Sequence, residues 1–276
     1  MPETPCEPRL KAPSGAVYLE PVEPGLTAEG YVQMLDLAKK RGYTFSTFAE
    51  VADASKQIFL RHDLDMSLDV GLRLAELEAR EKARSTYFVL LTSPLYNPFS
   101  ASSRQTLRKI RDLGHDVGLH FDPMVHKVEG KSELFASLDQ EVNQLSMVLG
   151  EPVRFISFHQ PSPWVLGEDI VGDNYESVYN SRFISKMRYI SDSTGRWRAE
   201  SIFELLERDS ESHIQFLSHP GLWLSGSGKS LNDRIWHLVD EKQRSIPSQF
   251  EEAINSAGRG LTLFDPSHIS LRTRNS

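Results

Sequence analysis

Short apolar runs of strand type alternate with amphipathic helical stretches along most of this chain, and that rhythm restricts the fold more than any other feature. "QIFLRHDLD" is followed by the helix-like "SLDVGLRLAELEAREKA". "STYFVLL" precedes "SSRQTLRKIRDLG", and "HDVGLHFD" precedes "KSELFASLDQEVNQLSMVLG". "PVRFISFHQP", "MRYISD", "HIQFLSHP" and "GLTLFDPSH" supply further β-like runs, and "LNDRIWHLVDEKQRSIPSQFEEAINSA" reads as a long helix interrupted at Pro247. Stretch 164–188 carries no clear period. Strands alternating with helices imply parallel pairing with helical crossovers. No glycine-rich dinucleotide loop is present, so a distorted α/β barrel is expected rather than a doubly wound sheet.

Local signals place the element ends. Thr27 is positioned to cap the helix "LTAEGYVQMLDLAKKRGY", which closes near Gly42. Ser67 caps the next helix, whose Leu72, Ala75, Leu77 and Ala79 are expected to face a core. Residues 1–26 are rich in Pro and Glu without a period, and read as an N-terminal arm. Residues 27–276 then form a single barrel domain, for which 39% hydrophobic content suffices.

Composition removes several function classes. A formal net charge of −7 without a basic cluster argues against a nucleic-acid partner. The lone cysteine, Cys6, rules out a disulfide framework and a cysteine-rich zinc site. No apolar run approaches the ~18 residues that span a bilayer, and "MPETPCEPRLKAPSG" has no secretory-signal pattern. A cytoplasmic protein is expected; the sequence is silent on oligomeric state.

The strand-like runs end in a common way. "IFL" runs into "RHDLD", "VGL" into "HFD", "FISF" into "HQP", "RYI" into "SD" and "QFL" into "SHP". Taken singly, each such Asp or His is more readily a helix cap. Together they matter, because the C-terminal ends of parallel strands converge on one face and sites are built there. Asp63, Asp65, His120, Asp122, His159, Asp192 and His219 could therefore share one pocket. Residues two apart on a strand point the same way, so Asp63 and Asp65 would lie side by side and repel unless a cation sits between them. Imidazole and carboxylate donors suit zinc or a similar divalent ion.

These segments resemble, in order and spacing, the motifs of the polysaccharide deacetylase superfamily, the NodB-like or carbohydrate esterase family 4 proteins. More narrowly, they look like a subgroup associated with O-antigen and other surface-polysaccharide gene clusters. The resemblance spans about residues 28–225 and is carried by "LRHDLD", "LGHDVGLHFD", "FISFHQPS", "YISDS" and "FLSHPGLW". It implies a NodB-like (β/α) barrel, a divalent metal, usually zinc, and removal of an N-acyl group, acetyl or formyl, from a sugar or glycan intermediate. By the same resemblance Asp63 is the catalytic base, Asp65 and His120 are metal ligands, His219 is the general acid and Asp192 steers it. Leu64 separates two acids that are adjacent in the family, which leaves the roles of Asp63 and Asp65 exchangeable. Met124 stands where the family has its second metal-binding histidine. His126 lies two residues further and Asp122 is nearer.

His159 occupies the place of an arginine that usually orients the base, and is taken as the third ligand, with Asp122 on the substrate side. Arg61 and His62 are expected to face away from the metal or to pair with nearby acids. Trp164 and Trp223, just beyond two strand ends, could stack on a sugar ring or cover the barrel. Two rival functions remain: hydrolysis of another C–N or ester bond on this fold, and glycan binding without catalysis. "SGSGKS" at 225–230 lacks the spacing of a phosphate loop and reads as a turn before a helix. Asp265 and His268 read as part of a turn.

Overall fold

A computed structural model of the protein describes residues 22–256 except 24, 53, 54, 162 and 227–229. The expected last strand "GLTLFDPSH", with Asp265 and His268, and arm residues 1–21 lie outside the described residues. Among the described residues eight strands form one sheet in which every pairing between strands is parallel. They are β1 (Thr44–Phe45), β2 (Gln57–Leu64), β3 (Ser85–Val89), β4 (Asp116–Phe121), β5 (Phe155–Phe158), β6 (Glu176–Ser177), β7 (Arg188–Ser191) and β8 (His213–Ser218). The order is β6-β5-β4-β3-β2-β8-β7, with β1 paired to β2. Placing the last strand beside β2 is barrel order. Among the described residues β6 and β7 do not pair, so the barrel is open on one side.

Among the described residues, the five long helices lie where the periodicity puts them, and four short ones join them. They are α1 (Ala28–Lys40), α2 (Leu68–Arg80), α3 (Ala101–Asp112) and α4 (Lys131–Leu149), then α5 (Pro163–Leu166), α6 (Ser181–Ile184), α7 (Ile202–Arg208), α8 (Pro220–Leu224) and α9 (Leu231–Ser256). Thr27 Oγ1 accepts the Gly30 N–H, and Ser67 Oγ accepts that of Val70, so both expected caps are made. Pro247 does not break α9, a departure from the expected interruption. Helix α7, absent from the sequence reading, opens with a capping box formed by Ser201 and Glu204. The period-free 164–188 stretch resolves into α5, β6 and α6, each too short to display a period.

The two faces of the sheet bury different cores. On the outer face, Ile58, Leu60 and Leu64 of β2 pack with buried residues of α1, α2, α3, α4 and α7 in two clusters. On the inner face, Phe59, Phe88 and Phe155 join Phe48, Val178, Phe183 and Met187 in a plug that is mostly aromatic. Phe48 stacks on Phe59 at 5.7 Å and meets Phe183 edge-on at 5.2 Å. Gly118 on β4 is required by this plug: a Cβ there would sit 2.6 Å from both the Phe88 ring and the Phe155 carbonyl oxygen. The plug fills one end of the barrel, and the polar residues gather at the other. Leu26, at the end of the expected arm, is buried in the outer core, and Glu23 donates its N–H to the Gly195 carbonyl.

Candidate active site

Five parallel strands end at Leu64, Phe121, Phe158, Ser191 and Ser218. The residue that follows each is Asp65, Asp122, His159, Asp192 and His219 in turn. The alternation of β2 and β4 sends Asp63 and His120 inward just below them. His120 Nε2 stands 3.2 Å from Asp65 Oδ1 and 3.6 Å from Asp63 Oδ2, and His219 Nε2 is 3.8 Å from Asp65 Oδ2. Side chains scattered from position 63 to 219 thus meet at the C-terminal edge of the sheet.

Asp63 is almost fully buried and is gripped by Arg61. Arg61 Nε donates to Asp63 Oδ1 at 3.0 Å, and Nη2 donates to Oδ2 at 2.8 Å. Burial opposes ionisation of Asp63, but the Arg61 guanidinium, with help from His120, holds its carboxyl below the ordinary range. Arg61 thus pairs with a nearby acid, one of its two expected placements, and does so inside the site. The two-residue rule that pairs Asp63 with Asp65 also puts Arg61 on their face, and the pattern was there to be read. His62, on the opposite face, does point away: its Nε2–H donates to Glu78 and its Nδ1 meets Ser218 Oγ.

Asp65 is about a quarter exposed, yet its Oδ1 is buried; His120 Nε2 stands 3.2 Å away without hydrogen-bond alignment, and among the described residues no donor completes this oxygen. Burial again opposes ionisation, and the His120, His219 and His159 imidazoles overcome it, so this carboxyl too is held low. His120 Nδ1 pairs with Ser157 Oγ at 2.7 Å, which leaves Nε2 to face Asp65. Fixing one ring nitrogen so that the other presents its lone pair is the usual arrangement of a metal-binding histidine. Two donors about 2.0–2.1 Å from a tetrahedral ion lie about 3.3 Å apart. The Asp65–His120 separation of 3.2 Å and the orphaned Oδ1 therefore fit a bound divalent cation.

His159, the expected third ligand, is less committed. Its ring meets that of His120 edge-on at 5.4 Å, and its Nδ1–H donates to Asp122 Oδ2 at 3.2 Å. Asp122 Oδ1 also accepts the Met124 N–H. Met124 itself is 72% exposed, and His126 is held by Glu141 at 2.6 Å. Among the described residues no group of three His, Cys, Asp or Glu side chains converges as a finished metal site.

The other side of the pocket is a relay. His219 Nδ1–H donates to Asp192 Oδ1 at 2.7 Å, and the His219 backbone N–H reaches the same carboxylate. Burial disfavours the charged ring, but Asp192, Asp65 and Asp63 outweigh it and push His219 up to about 9. Trp223 donates its indole N–H to Asp192 Oδ2 at 2.8 Å and is 1% exposed. Of its two expected roles, sugar stacking and covering the barrel, this burial fits the second: the ring packs against Tyr31 and Phe216, and its polar edge secures Asp192. Trp164, half-buried on α5, packs against the outer core. His115 and His213, at strand starts, bond to the Ala75 and Ala52 carbonyls.

Comparison with known proteins adds little beyond this geometry. No protein-family model matches the chain, and no curated protein does. Among solved structures, the Streptococcus pyogenes deacetylase PplD in complex with acetate is similar over 69% of this chain and 80% of its own, at 12% identity and a TM-score of 0.42. The peptidoglycan deacetylase PdaC from Bacillus subtilis is similar over 75% of this chain and 96% of its own, at 14% identity and a TM-score of 0.40. BA3943, a CE4 family pseudoenzyme from Bacillus anthracis, is similar over 69% of this chain and 63% of its own, at 15% identity and a TM-score of 0.41. Likenesses this distant carry no weight for chemistry, which rests on the side chains described above. Among the described residues no helix is long and apolar enough to cross a membrane.

Proposed function

We propose that the protein is a metal-dependent hydrolase that removes an N-acetyl or N-formyl group from a sugar or sugar intermediate, in the biosynthesis of a surface polysaccharide. The observation that carries the reading is the placing of His120 Nε2 between two carboxylates, opposite an Asp-steered histidine, at the C-terminal edge of a parallel sheet. The sequence motifs supply the sugar and the biosynthetic setting.

Asp65 and His120 would hold the metal, zinc by the nature of the donors, with His159 as third ligand; when bound, it would polarise the acyl carbonyl and acidify the attacking water. Asp63, kept ionised beside Arg61, takes the proton of that water as it attacks. His219 then donates a proton to the departing amine. The Asp192 carboxylate raises the His219 pKa and so favours the charged ring that a general acid needs. Asp192 fixes the proton on Nδ1 and leaves Nε2 to face the substrate. Asp122 lies on the substrate side and keeps His159 oriented.

The test is release of acetate or formate from a panel of N-acetylated and N-formylated sugars, free and nucleotide-linked, before and after chelation. Release that stops on chelation and returns with zinc supports the proposal. The engagement of His159 with Asp122 favours one alternative, a glycan-binding protein without turnover. Saturable sugar binding with no release at any metal loading would establish that alternative instead.

A further inference from the structure

The proposed base raises a question that the ligand set does not answer: what sets the direction of the Asp63 carboxylate. We infer that Arg61 is a positioning residue dedicated to Asp63, presenting its carboxylate to the reacting water from the same strand. This rests on the deacylase reading above and goes beyond it by naming how the base is held.

Three observations carry it. The first is the fork itself: two nitrogens of one planar group meet both oxygens of one carboxylate, at 3.0 and 2.8 Å. A bidentate pair fixes the rotation of the carboxylate as well as its place, which a single ammonium cannot do. The second is what holds the guanidinium. It lies over the Tyr179 ring at 4.6 Å and the Phe88 ring at 5.5 Å, so aromatic rings restrict its movement. The third is what it does not do. Arg61 is fully buried, yet among the described residues Nη1 has no hydrogen-bond partner.

The neighbouring inner-face groups, Thr86 Oγ1 on β3 and the Gln215 amide on β8, are likewise buried without hydrogen-bond partners among the described residues. A guanidinium placed to stitch strands together would use its donors on such groups or on backbone carbonyls. This one gives its hydrogen bonds to a single carboxylate two residues away. Buried ion pairs are also poor devices for stability, since well-packed apolar residues often serve as well or better. The pair is better understood as a device for aiming Asp63.

The test compares Arg61→Lys, Arg61→Gln and the double variant Arg61→Met with Asp63→Leu. Misaiming a catalytic group costs on the order of 100-fold in rate. Arg61→Gln should therefore lose about that much in kcat, with KM and metal content near wild type, and Arg61→Lys should restore part of it. The double variant should fold at least as stably as wild type and be inactive. A kcat for folded Arg61→Gln close to wild type would overturn the inference, as would a double variant much less stable than wild type.

A second readout needs no turnover. The Arg61 Nε–H should give a slowly exchanging, downfield-shifted NMR resonance that is lost in Asp63→Asn. If wild type releases no acyl group from any sugar, the deacylase reading fails, and this resonance still decides whether the clamp exists. A freely exchanging Nε–H in wild type would refute it.

Discussion

The two faces of β2 hold buried charge in opposite ways. On the outer face His62 meets Glu78, which reaches across from α2. Glu78 accepts hydrogen bonds from Tyr31, His62, Ser85 and Tyr87, at 2.5, 2.8, 2.6 and 2.7 Å. Both carboxylate oxygens are in use, and the Ser218 hydroxyl completes the other edge of His62. On the inner face Asp65 Oδ1, Arg61 Nη1, Thr86 Oγ1 and the Gln215 amide are buried without hydrogen-bond partners among the described residues. A buried polar group without a partner costs about 1–3 kcal/mol, so the inner face gives up stability that the outer face keeps. Completed networks rigidify a fold. Of these groups, Asp65 Oδ1 lies where the site residues meet, and it is the open valence that a cation could fill.

The contrast can be broken from either side. The largest effect should be on turnover: Asp63→Asn removes the base, and kcat should fall about 10²–10⁴-fold. Its stability should fall too, by about 3–5 kcal/mol, because the buried Arg61 guanidinium loses its counter-charge and one of its two acceptors. Thermal denaturation together with acyl-release kinetics separates the two quantities. Glu78→Ala should lower stability without touching the site. Breaking a buried charged network typically costs about 3–5 kcal/mol, visible in urea denaturation, while the metal content of the remaining folded protein should match wild type.

The acid limb of stability should also report the outer face. Burial opposes ionisation of Glu78, but His62, His115 and Ser85 lower its pKa to about 2 against an ordinary 4.5. A depressed carboxyl contributes stability that is present above pH 4.5 and lost as the pH falls toward 2. The contribution is on the order of 3 kcal/mol and should be missing from the pH profile of Glu78→Gln. The smallest effect is expected for Trp223→Phe, which removes one neutral donor from Asp192. It should cost about 1 kcal/mol and lower kcat modestly, measured by denaturation and acyl release.

Much of the site could be read from the sequence because strand ends are sequence-local. An apolar run followed by Asp or His states where a strand stops, and parallel pairing supplies the convergence. Asp65, His120, Asp192 and His219 were placed this way. What could not be read depends on long-range packing. Glu78 sits on α2 between Leu77 and Ala79, two positions expected to face the core, and nothing local says that four donors from other elements will meet it. Trp223 follows a strand end as a sugar-stacking residue would, and only the position of Asp192 turns its ring inward. Helix α7 is short enough that its capping box is a stronger signal than its period. Arg61 is different, since period two alone puts it beside Asp63.

Calorimetric titration of zinc into metal-stripped protein tests the central claim most directly. The account predicts about one equivalent bound by wild type, binding abolished in Asp65→Ala, and binding retained in Glu78→Gln. Equal saturation of wild type and Asp65→Ala, or no binding by folded wild type, would contradict it.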